Sequence, residues 1–264
     1  MERIFLYIDI LGFETLVRTN KTKVDEIFRT FDGLKVFKHP ALQTVVFSDT
    51  ILVFNKDESW PDHYYCTYLT EYAQQLFYRL SRINVFFKAI ILKGDFNYSN
   101  LKNIDAYYGL ALINAYHDES ELEGFGLYVE KAISDEVVTF DKVTFNEKYD
   151  YVFLCQSILN LYDHTSGVLP IKDLNIFSET DTYHRIDEDL RFLREISYIK
   201  EQHPVLRVRD KYQKVYQVYK NRLKDFFNKF EIEGFMPFTL NDHYAGSIDP
   251  FLLLAEIEIT KLKE

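Results

Sequence analysis

Covalent cross-links and loose segments are both scarce in this 264-residue chain. Its two cysteines, Cys66 and Cys155, lie far apart and in no CxxC or Cys/His spacing, which excludes a disulfide framework and a thiolate metal site. Two buried, reduced thiols are the expectation. With only 9 Gly and 6 Pro, no stretch reads as a linker or a low-complexity segment. Positive charge is short as well: 31 Lys and Arg against 41 Asp and Glu leave a formal net charge of −10. That balance excludes a nonspecific grip on nucleic acid or an anionic membrane, since both need a basic surface. No apolar run approaches the roughly 20 residues that span a bilayer. "MER" leads directly into a strand-like segment without a signal-peptide pattern, so the cytoplasm is the expected compartment.

What the chain has in plenty is apolar and aromatic surface, 47% hydrophobic with 23 Phe and 20 Tyr, enough for a sizeable core. "RIFLYIDI" (3–10) predicts a buried strand stopped by Gly12, with a helix to follow. Val24, Ile27, Phe28, Phe31 and Leu34 fall at helical spacing over 23–37, and "LQTVVFSDTILVF" (42–54) reads as a hairpin with Ser48–Asp49 at its tip. A long amphipathic helix over 62–82 precedes strand-like "NVFFKAIIL" (84–92). A short strand or turn then leads into a helix within 107–123, and "GFGLYVE" (124–130) is a further strand. The order predicts an α+β fold, a mixed and mainly antiparallel sheet with helices on one side.

After about residue 150 the texture changes. "YDYVFLC" reads as a strand and the stretch behind it as irregular, followed by helices over 185–202 and 208–231. Lys211, Lys214, Lys220, Arg222 and Lys224 read as a solvated helix face. The tail at 250–262 fits a helix or a strand. The expected division is therefore a domain at 1–150 and a helical extension at 151–264 packed on the same core.

Two carboxylates stand out. Asp9 closes an apolar strand and Asp49 tips the hairpin expected to pair with it, so the two should meet at one sheet edge. Like charges repel unless a cation lies between them, and Mg²⁺ is held in this way, by one or two carboxylates plus substrate phosphates and water. An Asp before a Gly turn is also a normal helix cap, and an Asp in a hairpin a normal turn residue. The turn after Asp9 brings backbone N–H groups that suit phosphate oxygens.

"YIDILGFETL" (7–16) resembles the first metal motif of class III nucleotidyl cyclases, and "VFSDTILVF" (46–54) their second metal hairpin. "FFKAIILKGDF" (86–96) is similar to the strand that follows, and "YYGLALINAY" (107–116) to the next strand and helix in the form found in the pyrimidine cyclases of Pycsar anti-phage defence. The resemblance covers about residues 3–140. It implies a class III cyclase-like catalytic domain with Asp9 and Asp49 as metal ligands and the Ile10 carbonyl as a third. It further implies Leu11, Gly12 and Phe13 around the triphosphate, and two ions, Mn²⁺ or Mg²⁺. The activity implied is conversion of UTP, or CTP, to a 3′,5′-cyclic monophosphate in a homodimer with a shared active site.

Departures narrow the reading. Where purine cyclases carry a base-reading Lys, this chain has Val45, with Thr44 beside it as the candidate base reader. Where they carry Asn and Arg on the later helix, it has Ile113 and His117, so Lys88, Lys93 or His117 is left to supply positive charge at the transition state. Lys88 also fits an edge-strand lysine, and Phe13 either stacks on a base or fills the core. The alternatives are a catalytically silent cyclase-like module that binds nucleotide or mediates assembly, and a purine cyclase whose base reader has moved.

Overall fold

A computed structural model describes residues 1–34, 39–172 and 185–241. The chain divides into two compact units, Met1–Leu154 and Cys155–Glu264. The tail read at 250–262 and the last residues of the helix read over 23–37 lie outside the described residues.

The first unit is organised by β1 (Glu2–Ile10), whose residues from Arg3 to Ile8 are all buried. After a turn at Leu11–Gly12 come α1 (Phe13–Thr19) and α2 (Lys21–Asp32), then the hairpin of β2 (Leu42–Phe47) and β3 (Thr50–Asn55). The long α3 (Asp62–Ser81) leads to β4 (Phe87–Asp95), followed by the small hairpin β5 (Asn97–Asn100) and β6 (Asp105–Tyr108) and by α4 (Leu110–Glu121). β7 (Gly126–Glu130), β8 (Lys142–Thr144) and β9 (Tyr149–Val152) complete a sheet ordered β2-β3-β1-β4-β7-β9-β8. Among the described residues only the β4–β7 pair of this sheet is parallel, so the mixed, mainly antiparallel sheet agrees with the expectation.

Helices cover both faces of the sheet, where the sequence pattern suggested one. Gly94 of β4 lies against Ala111 of α4, while its neighbour Lys93 pairs with Asp62 of α3 at 2.5 Å. Successive strand residues point to opposite faces, so α3 and α4 flank the sheet from opposite sides. β1 and β4 are apolar on both faces because both are covered, and a period-two pattern is absent from them for that reason.

In the second unit, α5 (Gln156–Thr165), α6 (Ile186–Gln202) and α7 (Leu206–Ile232) pack through aromatic contacts such as Tyr162–Phe226 and Phe192–Tyr219. α5 occupies the stretch read as irregular. Its amphipathic run is only ten residues long, and its N-terminus is capped from a distant helix: the buried Asp189 carboxylate accepts from the Ile158 N–H at 2.9 Å. Both thiols are buried as expected, Cys66 pushed up to about 12 by that burial and Cys155 raised for the same reason, which leaves neither as a reactive thiolate.

Gly109, between β6 and α4, has φ +153°, and a Cβ there would lie 2.7 Å from the Phe96 Cα. Gly109→Ala is expected to destabilise the first unit by about 2–4 kcal/mol in urea denaturation, combining steric overlap with backbone strain. An unchanged midpoint would show that this junction relaxes freely.

Candidate metal and phosphate site

The end of β1 is built from three adjacent strands. Asp9 lies in register with Thr50 of β3 on one side and Lys88 of β4 on the other. One residue further on, the Ile10 N–H donates to the Asp49 carbonyl at 3.1 Å, tying the end of β1 directly to the hairpin tip. Ser48 takes a positive φ of 57°, which closes the two-residue loop and sets Asp49 beside that end. Asp9 and Asp49 are both half-buried. Sheet pairing thus brings together two carboxylates that are 40 positions apart in the chain.

Tyr7 reports the field these groups create. It lies two residues before Asp9 and so on the same face of β1. Its hydroxyl is pushed up to about 12, first by burial, with Asp9, Glu119 and Asp49 adding to the rise and a hydrogen bond with Thr50 opposing it. Three carboxylates therefore act on one phenol, which stays neutral and able to donate at physiological pH. Tyr7 and Glu119 were not among the residues singled out from the sequence. The i, i+2 spacing from Asp9 was a signal for Tyr7, but Glu119 arrives through α4 and leaves no local trace.

Lys88 sits on a central strand, not an edge, and is 2% exposed. Its ammonium donates to the Glu119 and Leu122 carbonyls at 2.6 and 2.7 Å and pairs with the Glu119 carboxylate at 3.0 Å. These are C-terminal carbonyls of α4, where a cation is favoured by the helix dipole. Lys93 points to the other face of the sheet, level with Ile4 and paired with Asp62. His117 is exposed, and standing two residues from Glu119 it projects about 200° around α4 from it. Of the three cations considered for the transition state, Lys88 stands beside Asp9 but is held by the end of α4, and Lys93 and His117 face elsewhere.

The turn after Asp9 is partly engaged. The Leu11 N–H donates to the Phe86 carbonyl at 2.9 Å, whereas Gly12 has φ +70° and nothing within 4 Å of where its Cβ would stand. Gly12 therefore gives open access to the backbone. The first N–H groups of α1, beginning with Phe13, have no partner inside that helix. The Phe13 ring is buried and packs edge-on against Phe28 at 6.0 Å, so it fills the core. Thr44 pairs with Val53 and faces the side of the sheet away from Asp9, while Val45, paired with Leu52, shares the Asp9 face. The structure brings Asp9, Ile10, Gly12, Phe13 and Asp49 together and leaves Thr44 and His117 apart from them.

Among the described residues no group of three or more His, Cys, Asp and Glu could hold a metal. Two carboxylates and backbone carbonyls form a hard, all-oxygen donor set with positions left over for phosphate and water, which fits Mg²⁺ or Mn²⁺ and does not fit zinc.

No protein family and no curated protein matches this chain. Among solved structures it is similar to the guanylate cyclase domain of RhGC from Catenaria anguillulae in complex with GTP, at 13% identity and a TM-score of 0.45, covering 58% of this chain and 96% of that one. It is also similar to the dimeric guanylyl cyclase domain of the RhoGC fusion protein from Blastocladiella emersonii, at 14% identity and 0.45, with coverages of 58% and 96%. A bacterial light-regulated adenylyl cyclase matches at 12% and 0.45, with coverages of 62% and 96%. Likeness at this level carries no functional argument.

Lys88→Met would leave the half-buried Glu119 carboxylate and the end of α4 without their cation, and its expected cost is about 2–4 kcal/mol in urea denaturation. A loss below about 1 kcal/mol would mean that the ammonium does not hold α4 to the sheet.

Proposed function

We propose that the chain is a metal-dependent nucleotidyl cyclase that converts a pyrimidine nucleoside triphosphate, UTP or CTP, to its 3′,5′-cyclic monophosphate and pyrophosphate. The observation that carries this reading is the meeting of Asp9 and Asp49 at one sheet end through the Ile10–Asp49 hydrogen bond. The motifs around both residues resemble the two metal motifs of class III cyclases. Asp9 and Asp49 would hold Mn²⁺ or Mg²⁺, which when bound supplies a lowered pKa at the ribose 3′-hydroxyl and charge neutralisation at the departing pyrophosphate. The Gly12 and Phe13 N–H groups would receive the phosphates, and the neutral Tyr7 hydroxyl, hydrogen-bonded with Thr50, lies on the Asp9 face of β1. The 3′-oxygen, its proton passing to solvent water, attacks the α-phosphorus, the bond from that phosphorus to the β-bridging oxygen breaks, and pyrophosphate leaves. The preference for a pyrimidine rests on Val45, uncharged on the Asp9 face where purine cyclases place a base-reading Lys.

A homodimer is part of the proposal. The outer face of α4 exposes Leu110, Ile113 and Tyr116 at helical spacing beside His117, an apolar surface suited to a second copy that would bring a cation to the site. The role of the product as a second messenger in anti-phage defence, in the cytoplasm, is carried by the resemblance to pyrimidine cyclases. The described residues contain no helix long and apolar enough to cross a membrane. The engagement of Lys88 by the end of α4, with Lys93 and His117 placed away from the Asp pair, favours a second reading, a silent nucleotide-binding module.

The test is incubation with Mn²⁺ and each of ATP, GTP, CTP and UTP, with products identified by mass spectrometry. The expected result is a cyclic monophosphate from UTP or CTP, reduced roughly a hundredfold or more in Asp9→Ala and Asp49→Ala. Nucleotide binding without cyclisation of any of the four would select the silent module, and cyclisation of ATP or GTP alone would select a purine cyclase.

A further inference from the structure

Phe47 is the last residue of β2, and 80% of it is exposed. It pairs with Thr50, which pairs in turn with Asp9, so Phe47, Thr50 and Asp9 form one row across three strands and share one face of the sheet. Two strand spacings set Phe47 roughly 10 Å from Asp9. A nucleotide whose phosphates lie at Asp9 and Asp49 spans that gap with its ribose and reaches Phe47 with its base. Val45 and Leu52 continue the same face away from the loop, so the wall on this side is apolar and uncharged. Phe13, the aromatic at the phosphate turn itself, is spent in the core against Phe28.

From this row we infer that Phe47 is the base-stacking residue of the site, and that the base is held on β2 by its π-face and not by a charged reader. This rests on the proposed nucleotide site and assigns its base-contacting residue. Among the described residues Phe47 is left 80% exposed, a ring face open to a ligand, and stacking accepts any base because every base has a π-face. Phe47 therefore contributes affinity with little base selectivity of its own, and selectivity is left to the uncharged Val45 position.

The experiment uses the full chain with Mn²⁺ and measures calorimetric binding of 3′-deoxy-UTP and 3′-deoxy-ATP, which lack the attacking hydroxyl, and of inorganic triphosphate, which lacks a base. Phe47→Ala is expected to weaken both nucleotides by similar factors, roughly five- to a hundredfold, and to leave triphosphate binding unchanged. Phe47→Trp is expected to retain nucleotide affinity and to show indole quenching when nucleotide binds. Equal nucleotide affinity in wild type and Phe47→Ala overturns the assignment, and so does parallel loss of triphosphate binding. A changed sedimentation coefficient with unchanged nucleotide affinity overturns it in favour of an interface between copies. If wild type binds triphosphate but neither nucleotide, or binds none of the three, the nucleotide site itself fails and Phe47 with it.

Discussion

Everything in the site depends on the antiparallel pairing of β1 with β3. That register sets Thr50 opposite Asp9 and lets the Ile10 N–H reach the Asp49 carbonyl, so two carboxylates from distant parts of the chain end side by side. A slip of one residue would turn Asp9 into the opposite face and Ile10 out of the core. The register is held by the burial of β1, with Ile4, Phe5, Leu6 and Ile8 each 1% exposed or less, so the hydrophobic core fixes the charge geometry.

The arrangement is electrostatically unbalanced toward the negative. Asp9, Asp49 and Glu119 all act on the Tyr7 hydroxyl, and the nearest cation in register, Lys88, is bound to the end of α4. Lys88 is thus a structural cation that anchors the helix next to the site. In the proposed function this negative field would attract a divalent metal, and the mobile cation would come from a second copy or from the metal itself.

The core of the fold and the Asp pair were legible in the sequence because both have local signatures. "RIFLYIDI" and "LQTVVFSDTILVF" show their apolar runs, the first with Asp9 one residue before its end and the second turning at Ser48–Asp49. α5 was not legible, because Asp189 caps it from another helix, and the second helical layer was hidden by β1 and β4 being apolar on both faces. Thr44 was singled out for its hydrogen-bonding side chain, but strand alternation turns it away: it pairs with Val53, whereas Val45 and Phe47 of β2 pair with Leu52 and Thr50, which share the Asp9 face. Lys88 stood out because it puts a charge inside an apolar strand run, and its partner lies 31 residues later at the C-terminal end of α4.

The most direct test of the Asp9–Asp49 site is a Mn²⁺ titration of the purified chain followed by electron paramagnetic resonance, without nucleotide, in wild type, Asp9→Asn and Asp49→Asn. The account predicts saturable binding in wild type and a loss of affinity of roughly tenfold or more in each variant, because each removes one of two carboxylates facing the same ion. Equal Mn²⁺ binding in all three proteins would contradict it.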